Sequence, residues 1–403
     1  MAPKRRTIEF TLATVFAVAI LGGAVALYID ATESRVHSDP ATVPSTVGVA
    51  PREGYVAAAD DVRRRARELL VQENLPSLSV AVARDGVIVW SETFGLANLE
   101  SRTPATPRTR YRIGSVSKTL TATAVALLYE RGRLDLDAPI QTYVPSFPQK
   151  QWTVTARQVL GDVAGVHRMR DEINERLPRG ECTGLEQAVE LFRDEPLLHE
   201  PGTKYKFSTY GWILLSAAIE GAAAEPFPTF MRREVFTPLG MDRTALEGSD
   251  NDPDTVSFYF PRVAEDSKLG LQDAPEAEYG CYFGAGAFLS TASDLVRLGS
   301  AMMKPGFLKK ETIELFQTPL QLTSGKTSGF ALGWKVDTVP LAGEQVRAIR
   351  HRGSYIGGDS SLSVFPDRSL VVATISSVRT RTRDQFAQQV ADAFAARQVA
   401  SSK

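Results

Sequence analysis

Ser115 and Lys118 form the only Ser-x-x-Lys in the 403-residue chain. Three residues apart on a helix, the two side chains share a face. Apolar residues recur at Leu120, Ala124, Leu127 and Leu128 and the pattern stops at Gly132, which predicts an amphipathic helix opened by Ser115. Unsatisfied backbone N–H groups and the helix dipole favour negative charge developing at such a start. In a dry cleft the ammonium form of a lysine is disfavoured, so Lys118 is expected to have a depressed pKa and to accept the serine proton. The chemistry is then nucleophilic attack by Ser115 and a covalent acyl-enzyme. The same spacing also fits a serine helix cap followed by a solvated lysine.

Other chemistries find less support. No Gly-x-Ser-x-Gly occurs, so the strained nucleophile turn of an α/β-hydrolase is missing. Cys182 and Cys281 lack metal-ligand spacing; they make either one bridge in an oxidising compartment or two buried thiols. No pattern calls for a cofactor or a metal. With 43% hydrophobic and 23% charged residues and a net charge of −1, the chain is globular and has no electrostatic reason to bind nucleic acid. Arg379, Arg381 and Arg383 read as a solvated loop entering the last helix, and His167 and His199 as structural residues.

Positioning the serine and lysine requires a frame. A helix is predicted with Val62, Ala66, Leu69 and Leu70 on one face, followed by a hairpin at Asp85-Gly86 between alternating apolar runs. The middle of the chain reads as helices, including Leu185–Phe192, Trp212–Ala223 and Phe227–Phe236. Strands return at Ser361–Phe365 and Leu370–Ile375, and a last helix carries Phe386, Val390, Ala393 and Phe394. This predicts an α+β fold: an antiparallel sheet flanked by helices, built from 53–113 and 300–399, plus a mainly helical lobe from 114–299. A cleft between the lobes is where a ligand site belongs.

At the N-terminus, Lys4-Arg5-Arg6 precede the charge-free run Phe10–Ile29. About 20 such residues cross a bilayer, so residues 1–30 read as a basic cytoplasmic tip and a membrane anchor, with the rest outside the cytoplasm. A signal cleaved after Ala24-Val25-Ala26 is the alternative, giving a secreted protein. Residues 31–52, rich in Ser, Thr, Pro and Ala, read as a flexible linker.

Tyr111-Arg112-Ile113-Gly114-Ser115-Val116-Ser117-Lys118 resembles the first motif of the serine β-lactamase, DD-peptidase and carboxylesterase superfamily. The resemblance continues through Leu134–Ile140, Thr155–Leu160, Pro201-Gly202-Thr203, Pro238–Met241, Gly284–Thr291 and His351-Arg352-Gly353-Ser354, and is nearest to the class C-like branch that includes the mitochondrial β-lactamase-like serine protease. It implies a sheet of about five antiparallel strands beside a helical lobe. It also implies Ser115 as nucleophile, Lys118 as base, His351, Arg352 and Gly353 on a strand lining the cleft, and an oxyanion hole from the backbone N–H groups of Ser115 and Ser354. Arg352 is then either a partner for a substrate carboxylate or a solvent-facing residue.

One motif departs. Where relatives carry a tyrosine that exchanges a proton with the nucleophile, this chain has Phe207, with Thr209 two residues on at the family's Asn place. Tyr205 and Tyr210 are near in sequence and out of register. The expected activity is that of an exported peptidase or esterase acting on a peptide or small-molecule amide or ester. The rival is a binding or scaffold protein with an impaired site.

Overall fold

The computed structural model describes residues 4–33, 35–167, 184–263, 266–274, 279–380 and 382–396, and of 4–13, 29–33, 279 and 280 the backbone alone. Its main strands are β1 (Ser45–Val49), β2 (Ser77–Arg84), β3 (Val87–Asn98), β4 (Lys335–Leu341), β5 (Glu344–Tyr355), β6 (Gly358–Phe365) and β7 (Leu370–Ser376). The helices that matter below are α1 (Lys4–Glu33), α2 (Val56–Gln72), α3 (Ser117–Glu130), α4 (Thr209–Ala223), α5 (Ala292–Ala301) and α6 (Arg383–Ala395).

The strands form one antiparallel sheet in the order β1-β3-β2-β7-β6-β5-β4, with the short strand Thr103–Pro104 added beside β3. The two ends of the chain meet at its centre, where β2 pairs with β7. Asp85 and Gly86 take positive φ values of 55° and 84° and close the β2–β3 hairpin as expected.

Alternation splits the sheet's side chains between two cores. Leu78, Val80 and Val82 of β2 and Leu370 and Val372 of β7 meet α2 and α6. Trp90 and Tyr55 stack on Phe394 of α6 at 5.6 and 5.7 Å. Ala81, Ala83, Val371, Ala373 and Ile375 face the other way, onto α5 and the helical lobe. The central strands are buried on both faces, so they read in sequence as nearly unbroken apolar runs.

Three expectations change. The sheet has seven main strands where the resemblance implied about five. The boundary drawn at residue 300 falls inside α5, whose Leu295, Val296 and Leu298 pack against the sheet. The linker drawn over residues 31–52 contains β1, which pairs with β3 from Ser45↔Phe94 onward, while His37 and Val43 are buried. An edge strand is held by its backbone, so its Ser-Thr-Val-Gly-Val composition carries little signal.

The apolar N-terminal run lies in α1, and Val15, Phe16, Val18, Ile20, Leu21 and Leu27 are exposed on it. Among the described residues no helix is long and apolar enough to cross a membrane. The ends of the expected Phe10–Ile29 span lie outside the residues whose side chains are described.

Removing residues before 35 is expected to leave stability unchanged. Starting the chain at residue 53 strips β1, His37 and Val43, and should lower stability by about 2 kcal/mol in urea unfolding. Equal midpoints for the two chains would mean that β1 contributes nothing.

Candidate active site

Gly114, Ser115 and Val116 make a tight turn that runs into α3. Gly114 has φ +49°, and a Cβ there would lie 2.9 Å from the backbone nitrogen of Ser354 on β5. Gly353 is tighter still, since its Cβ would meet the carbonyl oxygen of Ile113 at 1.8 Å. The two glycines let the serine turn and β5 touch backbone to backbone, which sets the Ser354 amide against Gly114, the residue before Ser115.

The helix expected to be amphipathic is instead buried all round from Ser117 to Leu128. Its polar residues survive burial by bonding backbone. Thr119 donates to the carbonyl of Val116 at 2.7 Å and Thr123 to that of Thr119 at 2.8 Å. Thr121 donates to Gly284 at 2.9 Å, and Ser216 of α4 accepts from the Gly284 N–H at 3.1 Å. These bonds seat the segment Tyr279–Ala285 against α3 and α4.

Lys118 is 1% exposed. Its Nζ donates to Ser115 Oγ at 3.0 Å and to the carbonyl oxygen of Ala285. The ring of Phe207 lies across it, with Nζ 4.9 Å from the centroid, a distance at which the π face attracts a cation. The serine, the lysine and the phenylalanine that replaces the tyrosine are therefore brought together. The solvated-lysine alternative does not hold.

His351 faces the same charge from β5. Burial, then the positive charge of Lys118, lower its pKa to about 4, against a bond between Nδ1 and the carbonyl of Arg352 at 2.9 Å. The imidazole is neutral at pH 7. Arg352, next along the strand, points the opposite way and pairs with Asp384 of α6 at 2.8 Å. The pair ties α6 to β5 at the exposed surface, on the strand face away from His351. Arg383 of the same helix bonds the carbonyl of Gly353 at 3.1 Å.

Thr209 is the buried first residue of α4, after the N-cap Ser208. The two tyrosines near Phe207 diverge. Tyr210 stacks on Phe192 at 4.5 Å, within the helical lobe. Tyr205 stacks on Phe330 at 4.4 Å, and burial followed by the negative charge of Asp162 pushes its phenol well above the usual range.

Asp162 and the Ala285 carbonyl were missed from sequence. The first carries a usable signal, an acidic residue inside the apolar stretch between Leu160 and Val166. The second is a backbone atom and carries none. Cys281 begins the described side chains of the Ala285 segment and is disulfide-bonded, so it is not the free thiol left open above. Cys182 lies outside the described residues. A cavity of about 470 Å³ lined by Pro228, Arg232, Phe236, Leu246 and Phe288 holds none of these groups; chemistry rather than cavity size locates the site.

A profile of the Beta-lactamase family matches residues 62–397. The chain belongs to that family. It is 27% identical to the mitochondrial serine beta-lactamase-like protein LACTB of Mus musculus, over 80% of this chain and 75% of that one. Penicillin-binding protein 4* of Bacillus subtilis is 24% identical over 74% of this chain and 67% of its own. Among solved structures, the octameric penicillin-binding protein homologue of Pyrococcus abyssi superposes with a TM-score of 0.70 at 22% identity, covering 82% of this chain and 76% of that one. The fold expectation and the family resemblance both hold.

His351 is expected to titrate near pH 4 by NMR, far below the ordinary 6.5. Because the folded pKa is the lower one, protonation favours the unfolded chain as pH falls from 6.5 toward 4. A measured value above 6 would place the ring in solvent.

Proposed function

We propose that the chain is a serine hydrolase of amide or ester bonds, of peptidase or esterase type, that forms an acyl-enzyme on Ser115. The observation that carries this reading is the 3.0 Å bond from buried Lys118 Nζ to Ser115 Oγ. As neutral amine, Lys118 takes the Ser115 proton while Oγ attacks the substrate carbonyl. The oxyanion develops toward the amides of Ser115 and Ser354. The Lys118 ammonium returns the proton to the leaving group, and water then cleaves the acyl-enzyme. Neutral His351 lines the cleft on the β5 side.

Phe207 favours a second reading, a binding or scaffold protein of the same fold. Its ring can shield Lys118 from water but cannot exchange a proton. The intact serine and lysine weigh against that alternative.

The catalytic domain is proposed to lie outside the cytoplasm, tethered through α1. The exposed apolar side chains of that helix and the disulfide at Cys281 support this, since disulfides persist in oxidising compartments.

Intact mass after treatment with a fluorophosphonate or a penicillin is expected to show one adduct on the wild type and none on a folded Ser115→Ala variant. Equal labelling of that variant removes Ser115 as nucleophile. Phe207→Tyr should speed ester hydrolysis by at least about tenfold, part of the ~10²–10⁴-fold that acid–base groups supply. Its hydroxyl would meet Lys118 and Ser115, so stability should change little. A variant no faster than a competent wild type would mean that the proton already reaches the leaving group from Lys118, directly or through Tyr205, Tyr210 or water. Absence of labelling in both proteins would leave the scaffold reading.

A further inference from the structure

Gly284 directly precedes the residue whose carbonyl accepts Lys118, and both of its own backbone polar groups are held by side chains. Thr121 of α3 donates its hydroxyl to the Gly284 carbonyl at 2.9 Å, closer than the Ser117 carbonyl one turn back at 3.3 Å. Ser216 of α4 accepts the Gly284 N–H at 3.1 Å and donates to the carbonyl of Trp212 at 2.9 Å. Thr121 and Ser216 are fully buried. Their hydroxyls close on Gly284 so tightly that a Cβ there would lie 2.1 Å from Thr121 Oγ1 and 2.7 Å from Ser216 Oγ. Just before it, Phe283 takes φ 40° and ψ −130°, a backbone conformation that residues with a Cβ rarely adopt. Such a conformation persists where its surroundings impose it. Thr121 lies three residues after Lys118, on the same face of α3. The helix that carries the amine therefore also carries the group that sets the amine's acceptor.

We propose that Thr121 is a positioning residue for acylation: by holding Gly284 it keeps the Ala285 carbonyl on Lys118 Nζ and so leaves the amine's lone pair for Ser115. This role rests on the acyl-enzyme reading above. A neutral primary amine has two N–H groups and one lone pair. With an N–H given to Ala285 and Ser115 Oγ at 3.0 Å, the lone pair is left to take the serine proton. With a fluorophosphonate, the Oγ–P bond forms, the P–F bond breaks, fluoride leaves and the Ser115 proton ends on Nζ. The Ala285 carbonyl then accepts from an ammonium, and a hydrogen bond from a charged donor is the stronger one. The contact thus aims the amine and also favours its protonated form. Thr121 exchanges nothing in that step.

The test is the rate of fluorophosphonate labelling of Ser115 from pH 5 to 10 in the wild type, Thr121→Val and Thr121→Ser, each checked for folding by circular dichroism. Thr121→Val keeps the shape and removes the donor. Once the carbonyl is released, the ammonium loses an acceptor and the amine forms at lower pH. The half-maximal pH should fall by about one unit, and the plateau about tenfold because the amine is no longer aimed. Thr121→Ser restores the donor on a smaller side chain and should bring both back toward the wild type. The charge of Lys118 also reaches His351 on β5 and Asp162 in the loop after the helix Ala156–Leu160, and both residues are present in all three proteins. If Thr121→Val does not fold, Ser216→Ala removes the acceptor of the Gly284 N–H and faces the same outcomes. An unshifted half-maximal pH in the variant without the hydroxyl overturns the role, whatever its plateau. So does a Thr121→Ser protein that behaves like Thr121→Val, because packing would then decide the effect. A wild type unlabelled at every pH overturns the acyl-enzyme reading, and this role with it.

Discussion

The fold is organised around one buried amine. An ammonium group taken out of water must find acceptors or lose its proton. Lys118 finds Ser115 Oγ, the carbonyl of Ala285 and the face of Phe207. Each comes from a different part of the chain, and each needs its own support. The Ala285 segment is held by Thr121 and Ser216, Phe207 by the bonds of its neighbours to Asp162, and the serine turn by close contact with β5. The helix that carries the amine is itself buried all round, packed within the larger of the two cores.

Replacing a phenol by a phenyl changes the balance inside that pocket. The ring keeps its volume and its attraction for a cation, while the proton route through its edge is gone. The charge of Lys118 reaches two titratable groups, His351 and Asp162. It lowers both pKa values, which keeps the imidazole uncharged and favours the carboxylate.

Much of this was legible in the sequence. Ser115, Lys118 and Phe207 could be placed because motif spacing is local, and the β2–β3 hairpin because Asp-Gly dictates its turn. Less legible were features decided by tertiary packing. The first edge strand looked like a tether, since backbone pairing leaves no side-chain pattern in Ser45–Val49. Arg352 reads the same whether it meets a substrate or Asp384, and only the strand's alternation sends it to α6. Asp162 was passed over because a buried carboxylate and a loop aspartate are identical as letters; its burial comes from Trp212 and the 206–208 segment, more than forty residues away.

The central claim is that Lys118 acts as a base and not merely as a positive charge beside Ser115. The most direct measurement is the rate at which an activated ester acylates Ser115 in folded Lys118→Arg compared with the wild type. Guanidinium keeps the charge and cannot be deprotonated in a protein. A loss of about 10²–10⁴-fold is the predicted result. A rate within a few-fold of the wild type would contradict the account, because charge alone would then suffice.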